Sequence, residues 1–307
     1  MKKLMLAVFA LVFSHSAWAF TIATGPAEAT YFQIANDIKN LAAKDGVDLQ
    51  VMPTQGSFEN IKLLGSGKVE LAIVQLDALR FVSDVLREQH GLNVFDKIKV
   101  VLNLYPEEIH VLSKNKEVQS FYQLEGKRVS VGQQGGGSAL SAAVLFTAYD
   151  INAAVSFEPF DEAIKKIDDG SLDAVVFVGG GPVPFITKLN ERFHFVRLPT
   201  SPALDEIYLR THLGKNQYPW AAAEVETYAV PSVIMGLDNR DESYVGQMQQ
   251  LVLSVLNGAA YLDANGHPKW KSSIIRTYFP FRGYEPTNQI IQSFNIIDNR
   301  GYRIVKK

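Results

Sequence analysis

The 307-residue chain contains no cysteine, only three tryptophans and six histidines, and almost no net charge, with 30 basic side chains against 32 acidic ones. Without cysteine there is no disulfide framework, no thiolate metal site and no cysteine nucleophile. Balanced charge leaves no basic face of the kind that nucleic-acid binding requires. No stretch reaches the ~18 consecutive apolar residues expected of a membrane-spanning helix. Motifs of catalysis are missing as well. Gly132-Gln133-Gln134-Gly135-Gly136-Gly137-Ser138 lacks the Gly-Lys-Ser/Thr ending of a P-loop, and there is no Gly-x-Ser-x-Gly elbow. His90, His110, His194, His212 and His267 show no metal-ligand spacing. The run Glu107-Glu108-Ile109-His110 comes nearest to a metal cluster and reads instead as a solvated edge.

What is present begins with a leader. Lys2 and Lys3 precede an apolar run from Leu4 to Phe13, and Ala17-Trp18-Ala19 supplies a small-x-small cleavage site. This is the pattern of a secretory signal peptide over residues 1–19, cleaved after Ala19, and it predicts a periplasmic protein with a formal charge of about −4.

Beyond it, strand and helix alternate. Strands are expected at 20–24, 47–52, 69–74, 98–104, 109–113, 128–131, 155–158, 172–178 and 227–235. Helices are expected at 31–43, 57–64, 78–86, 138–149, 162–167 and, as one long amphipathic element, 244–262. Such alternation predicts an α/β protein with mostly parallel sheets flanked by helices. Two successive runs imply two lobes: residues 20–105 begin the first, 106–211 form the second, and 212–307 return to the first and add C-terminal helices. Two chain crossings would then form a hinge, near Tyr105.

In open parallel sheets ligands gather beyond the C-terminal ends of the strands. Four junctions there are rich in small and polar residues: Thr24-Gly25 before Tyr31, Thr54-Gln55-Gly56-Ser57 before Asn60, Gly132 to Ser138, and Val178 to Pro182. Each can offer free N–H groups and a hydroxyl to an anionic oxygen. Ser57 and Ser138 are equally well read as plain helix caps. Ser57 and Asn60 share a face of the first helical turn. Gln75 and Asp77 follow the third strand, where Asp77 either caps a helix or accepts an ammonium group. Arg80 either binds a carboxylate or pairs along its helix. Tyr31 closes over a ligand or packs, Gly136, Gly137 and Ser138 form the best anion cradle, and Gly179 and Gly180 permit close approach.

The order Thr24-Gly25…Tyr31-Phe32, then Thr54-Gln55-Gly56-Ser57-x-x-Asn60-x-x-x-Leu64-x-x-Gly67, then Leu71-Ala72-Ile73-Val74-Gln75-x-Asp77 resembles the TAXI solute-binding proteins, the extracytoplasmic partners of TRAP transporters. The resemblance implies a two-lobed type II periplasmic-binding-protein fold that captures a small carboxylate-bearing ligand, a glutamate-like amino acid or a 2-oxo or dicarboxylic acid. It implies a monomer without cofactor or catalysis that delivers the ligand to a TRAP-type permease. The same fold serves as a sensory subunit for a membrane receptor kinase, or as a scaffold for an enzyme. The first loop departs from the family pattern at Pro26-Ala27-Glu28-Ala29-Thr30. The stretch from His267 onward, including Tyr278-Phe279-Pro280-Phe281 and Gly301-Tyr302, matches no part of it.

Overall fold

The structure, a computed structural model, describes residues 19–27, 29–276 and 283–293. The expected signal peptide, except for Ala19, lies outside the described residues, as do Glu28, the Tyr278–Phe281 stretch and Gly301-Tyr302.

In chain order the first half contains β1 (Phe20–Ala23), α1 (Thr30–Ala42), β2 (Leu49–Met52), α2 (Ser57–Gly65), β3 (Leu71–Gln75), α3 (Leu76–His90), β4 (Ile98–Ser113), β5 (Arg128–Ser130), α4 (Gly137–Tyr149), β6 (Ala154–Ser156) and α5 (Phe160–Asp168). There follow β7 (Ala174–Gly179), α6 (Pro184–Thr187), β8 (His194–Phe195), α7 (Pro202–Asp205), β9 (Leu209–Leu213), β10 (Val225–Leu237), α8 (Glu242–Asn257), α9 (Ala259–Asn265) and α10 (Glu285–Ser293). The strands hydrogen-bond in the order β2-β1-β3-β10-β4-β7-β5-β6, with β8 on β4 and β9 on β10. β1 is parallel to β2 and β3, and β5 is parallel to β6 and β7. β10 and β4 run antiparallel to each other and to the parallel strands beside them. The result is a mixed sheet, parallel within each lobe and antiparallel where the chain crosses.

Continuous apolar runs explain the inner strands. Every residue of β3 is buried, because helices cover both faces of a parallel strand. On one face of the first lobe, Ile34, Ile38 and Ala42 of α1 pack with Met248, Val252 and Val255 of α8. On the other, Ile61 and Leu64 of α2 and Ala78 and Leu79 of α3 pack with Val74 and Val233. The second lobe repeats this arrangement around Ile109, Leu145 and Val176 on one face and Leu112, Ile167 and Val175 on the other.

The structure revises three expectations. The strands expected at 98–104 and 109–113 are one 16-residue strand, β4, that passes from one lobe into the other. Pro106 interrupts the pattern in the sequence but faces Pro231 of β10, so two residues without N–H donors oppose each other. The ladder is irregular there, and Ser232 compensates: its hydroxyl donates to the Tyr105 carbonyl at 2.8 Å. Second, the chain does not leave the second lobe at residue 212, since Leu213, Tyr218 and Ala221 belong to its core. It crosses back within β10, because β9 must first pair with Val225–Ala229. Third, the expected helix 244–262 is two, α8 and α9, divided at Gly258. A Cβ there would lie 2.3 Å from Leu41 Cδ2 and 3.0 Å from the Ser254 carbonyl, so the helix breaks where it rests on α1.

Candidate functional site

The C-terminal ends of β1, β2 and β3 carry a polar knot. Thr24 is fully buried and its hydroxyl donates to the Met52 carbonyl at 2.8 Å. Asn60, also fully buried, donates from its amide nitrogen to the carbonyls of Thr24 and Ile73, the latter at 2.7 Å, while Oδ1 accepts the Thr54 hydroxyl at 2.6 Å. Both amide protons are committed, so Asn60 ties three strand ends together and does not present a ligand contact. The expectation for Asn60, and for the side chain of Thr24, is corrected accordingly. Gly25 has only ordinary contacts where a Cβ would stand, the closest 3.6 Å from Tyr31 Cβ.

Next to this knot lies a chain of buried groups at the seam between the lobes. Ser57 is the first residue of α2, after Gly56, and not a cap; its Oγ accepts the Gln75 N–H at 3.0 Å and it hydrogen-bonds the Tyr31 oxygen. The Tyr31 hydroxyl donates to Glu107 Oε2 at 2.8 Å. Burial, reinforced by that carboxylate, holds the Tyr31 phenol well above its usual range. Burial also pushes the Glu107 carboxyl up to about 7, against the opposing effects of Tyr31, the Gln75 amide and the charge of Lys269.

The solvated edge expected at 107–110 is therefore overturned. Glu107 and Glu108 are buried and His110 is fully so, because β4 is covered on both faces. His110 contacts the Tyr218 hydroxyl at 2.7 Å, and burial lowers its pKa to about 3, so it is neutral. Glu108 accepts Lys269 Nζ at 2.7 and 2.9 Å and the Gly181 N–H at 2.7 Å. Lys269 comes from the single turn Pro268–Ser272, which is anchored in the first lobe by Trp270, whose indole donates to Asp37 Oδ2 at 2.8 Å. Sequence reasoning missed Glu107, Glu108 and Lys269. The available signal was a pair of glutamates inside an otherwise apolar strand.

From the second lobe, Gly137 and Gly180 reach this seam. A Cβ on Gly137 would lie 1.9 Å from Gln75 Oε1, and one on Gly180 would lie 3.0 Å from Lys269 Cε. Gly136 caps α4 without a side-chain bond, and a Cβ there would stand 3.0 Å from the Gln133 carbonyl. Ser138 Oγ accepts the Val178 N–H at 3.0 Å, which ties the two second-lobe loops together and leaves the hydroxyl proton to donate. Gly179 packs on Phe177, 2.7 Å from where its Cβ would be. Asp77 does not stand open: its Oδ1 accepts the first-turn Ala78 N–H of α3 at 2.7 Å, as the capping alternative expected. It accepts the hydroxyls of Ser141 and Tyr208, the latter at 2.8 Å, and thus joins α3 to the second lobe. Burial raises its pKa against the effect of those hydroxyls. Arg80 pairs with Asp84 at 4.0 Å on an exposed part of α3.

Two predictions follow from this geometry. Gly137→Ala is expected to hold the lobes apart, raising the radius of gyration in X-ray scattering, and Gln75→Ala in the same chain to reverse the change. An unchanged radius in Gly137→Ala would show that Gln75 simply moves aside. The second concerns pH. An acid whose pKa rises on folding holds its proton more tightly in the folded chain, so the stability it contributes is complete below about pH 4.5 and is lost as pH rises through about 7. Glu107→Gln is neutral throughout and is expected to flatten that part of the melting profile between pH 4.5 and about pH 8. A calorimetric profile with the wild-type slope would refute the raised pKa.

No group of three or more His, Asp or Glu suited to a metal occurs among the described residues. The arrangement is two lobes whose loops meet over buried acceptors, with the hinge strands beneath. It suits enclosure of a small solute. Solved structures share the fold. Tv2483 bound to L-arginine has a TM-score of 0.53 at 13% identity, over 85% of this chain and 95% of that one. The periplasmic sulfonate-binding protein SsuA from Methylobacillus flagellatus KT has a TM-score of 0.52 at 11% identity, over 94% and 81%. XAC2383 from Xanthomonas citri bound to ATP has a TM-score of 0.50 at 11% identity, over 90% and 98%. The profile of the NMT1-like family matches residues 22–264. The chain has the fold of the periplasmic solute-binding proteins and belongs to the NMT1-like family.

Proposed function

We propose that this protein is a periplasmic, non-catalytic solute-binding protein that encloses a small amino acid between its lobes and delivers it to a membrane permease. The observation that carries the reading is the convergence of both lobes' strand-end loops, Gln75 against Gly137 and Lys269 against Gly180, over buried polar groups. Neither α2 nor α4 has a side-chain cap, so the N–H groups following Gly56 and Gly136 remain for a ligand carboxylate. Lys269 is paired with Glu108, and Asp77 and Glu107 stand beside that pair without a cation of their own among the described residues, which suits an amino acid that carries an ammonium group better than a 2-oxo dicarboxylate. The relatives in the same fold are described with L-arginine, sulfonate and ATP, so the fold leaves ligand choice to such local charges. Closure is a population shift, driven by the ligand's greater affinity for the closed form.

The finer proposal for the partner is a TRAP-type permease, following the resemblance of residues 54–77 to TAXI proteins. An ABC permease encoded beside this chain would replace that part and leave the binding role intact. A thermal-shift screen of the purified protein against amino acids, their 2-oxo analogues and dicarboxylates tests the reading. A solute at about 100 times its dissociation constant adds roughly 2.7 kcal/mol and raises the melting temperature. It should be recovered chemically unaltered. No stabilisation by any of these would sink the amino-acid assignment, and turnover would replace binding with catalysis.

A further inference from the structure

Glu107 differs from the other carboxylates at the seam. Asp77 is satisfied by two hydroxyls and the Ala78 N–H, and Glu108 by Lys269 and the Gly181 N–H. Glu107 has the Tyr31 hydroxyl and the Gln75 amide beside it, but forms no ion pair among the described residues. Lys269, whose charge reaches it, is committed to Glu108. Independently, the side-chain carbonyl oxygen of Gln75 is buried without a hydrogen-bond partner and points across the seam at Gly137. Among the described residues, Glu107 thus holds two neutral donors but no cation, and the enclosed Gln75 carbonyl holds no donor at all. A ligand carboxylate has no proton to offer, whereas an alkyl ammonium brings three N–H donors and the charge that Glu107 lacks.

We propose that Glu107 and the Gln75 carbonyl receive the ammonium group of the solute, and that Glu107 releases a proton to solvent as the ammonium docks. The inference rests on the interlobe binding proposed above and deepens it by naming the specificity-determining residue. The balance is simple: a neutral carboxyl and an R–NH3+ become a carboxylate–ammonium pair, and the carboxyl proton leaves to water. No bond to carbon changes. Among the described residues, the groups that act on Glu107 are Tyr31 from α1, Gln75 from β3, Asp77 from α3, Tyr105 from β4 itself, and Lys269 from the turn after α9. Opposite it on β10 stands Val230, which does not titrate. With its pKa near 7, Glu107 is mostly protonated at pH 6 and mostly ionised at pH 8.

The test is titration calorimetry of the full protein with the L-amino acid that gives the largest thermal shift and with the matching 2-oxo acid. Each titration is run in two buffers of unlike ionisation enthalpy. The amino acid should bind and its 2-oxo analogue should not. Wild-type protein should release clearly more proton per ligand at pH 6 than at pH 8. Glu107→Gln should bind about 30-fold or more weakly, with no proton release. Equal binding of the 2-oxo acid, or wild-type affinity in Glu107→Gln, would overturn the assignment of Glu107 while leaving interlobe binding in place. Proton release near zero at both pH values would overturn the proton step, and this measurement needs no variant. If neither class of compound bound, the amino-acid reading itself would fall, and this one with it.

Discussion

Lys269→Met is expected to destabilise the folded protein by about 3–5 kcal/mol, among the largest effects of any single side chain in this molecule. The Lys269 side chain is 3% exposed and that of Glu108 10%, so the pair sits beyond the screening of solvent. Both carboxylate oxygens take the ammonium, at 2.7 and 2.9 Å, and Oε2 also takes the Gly181 N–H. Methionine fills much of the same space as the lysine stem, so the loss is electrostatic and leaves little cavity. What remains is a buried carboxylate facing one backbone N–H. The double variant Lys269→Met with Glu108→Gln removes the stranded charge and should regain most of the loss, since the amide oxygen still accepts Gly181. Urea unfolding checks this, followed by the fluorescence of Trp270 in the first lobe and Trp220 in the second. If Lys269→Met unfolded at the wild-type midpoint, the strap between the lobes would have no energetic weight.

Asn60→Ala should lower stability by a comparable amount, about 2–5 kcal/mol, and leave solute affinity nearly unchanged. The side chain fills hydrogen bonds to Thr24, Ile73 and Thr54, all out of reach of water. Alanine would remove all three bonds; the Thr24 carbonyl and the Thr54 hydroxyl would keep one another at 2.9 Å, and buried groups left short of a partner cost about 1–3 kcal/mol each. The measurement is paired: urea midpoint for stability and calorimetric affinity at a temperature where the variant is folded. A variant that kept the wild-type midpoint but lost binding would return Asn60 to the ligand site. The spacing of Ser57 and Asn60 suggested that site because two polar residues on one helical turn suit an anion. The spacing could not show that the turn faces the ends of β1 and β3.

Much of the fold was legible because its signals are local. The apolar run within Val69–Val74 and the helical spacing of Ile34 and Ile38 each act within a few residues. The crossing strands were misread where the local rule was right and the context overrode it. Pro106 should end a strand, and does not, because Pro231 stands opposite it and Ser232 replaces the lost bond. Of the candidate site residues, Gln75, Tyr31, Ser57, Gly137 and Gly180 come together at the seam. Thr24 and Asn60 are consumed by structure, Ser138 ties the second-lobe loops while keeping its hydroxyl proton, and Asp77 joins the lobes through two hydroxyls.

The sequence by itself determined an alternating α/β chain of two lobes with polar, glycine-rich loops at its strand ends, because hydrophobic period and turn chemistry are carried by neighbouring residues. Only the tertiary structure decided which polar groups are used up in holding those loops and which are left to meet a solute. Glu107, Glu108 and Lys269 look in sequence like ordinary surface charges. They acquire their character from burial, which comes from helices and strands up to 161 residues away in the chain, and burial is what turns a carboxylate into a strap, a proton store or a receptor for an ammonium.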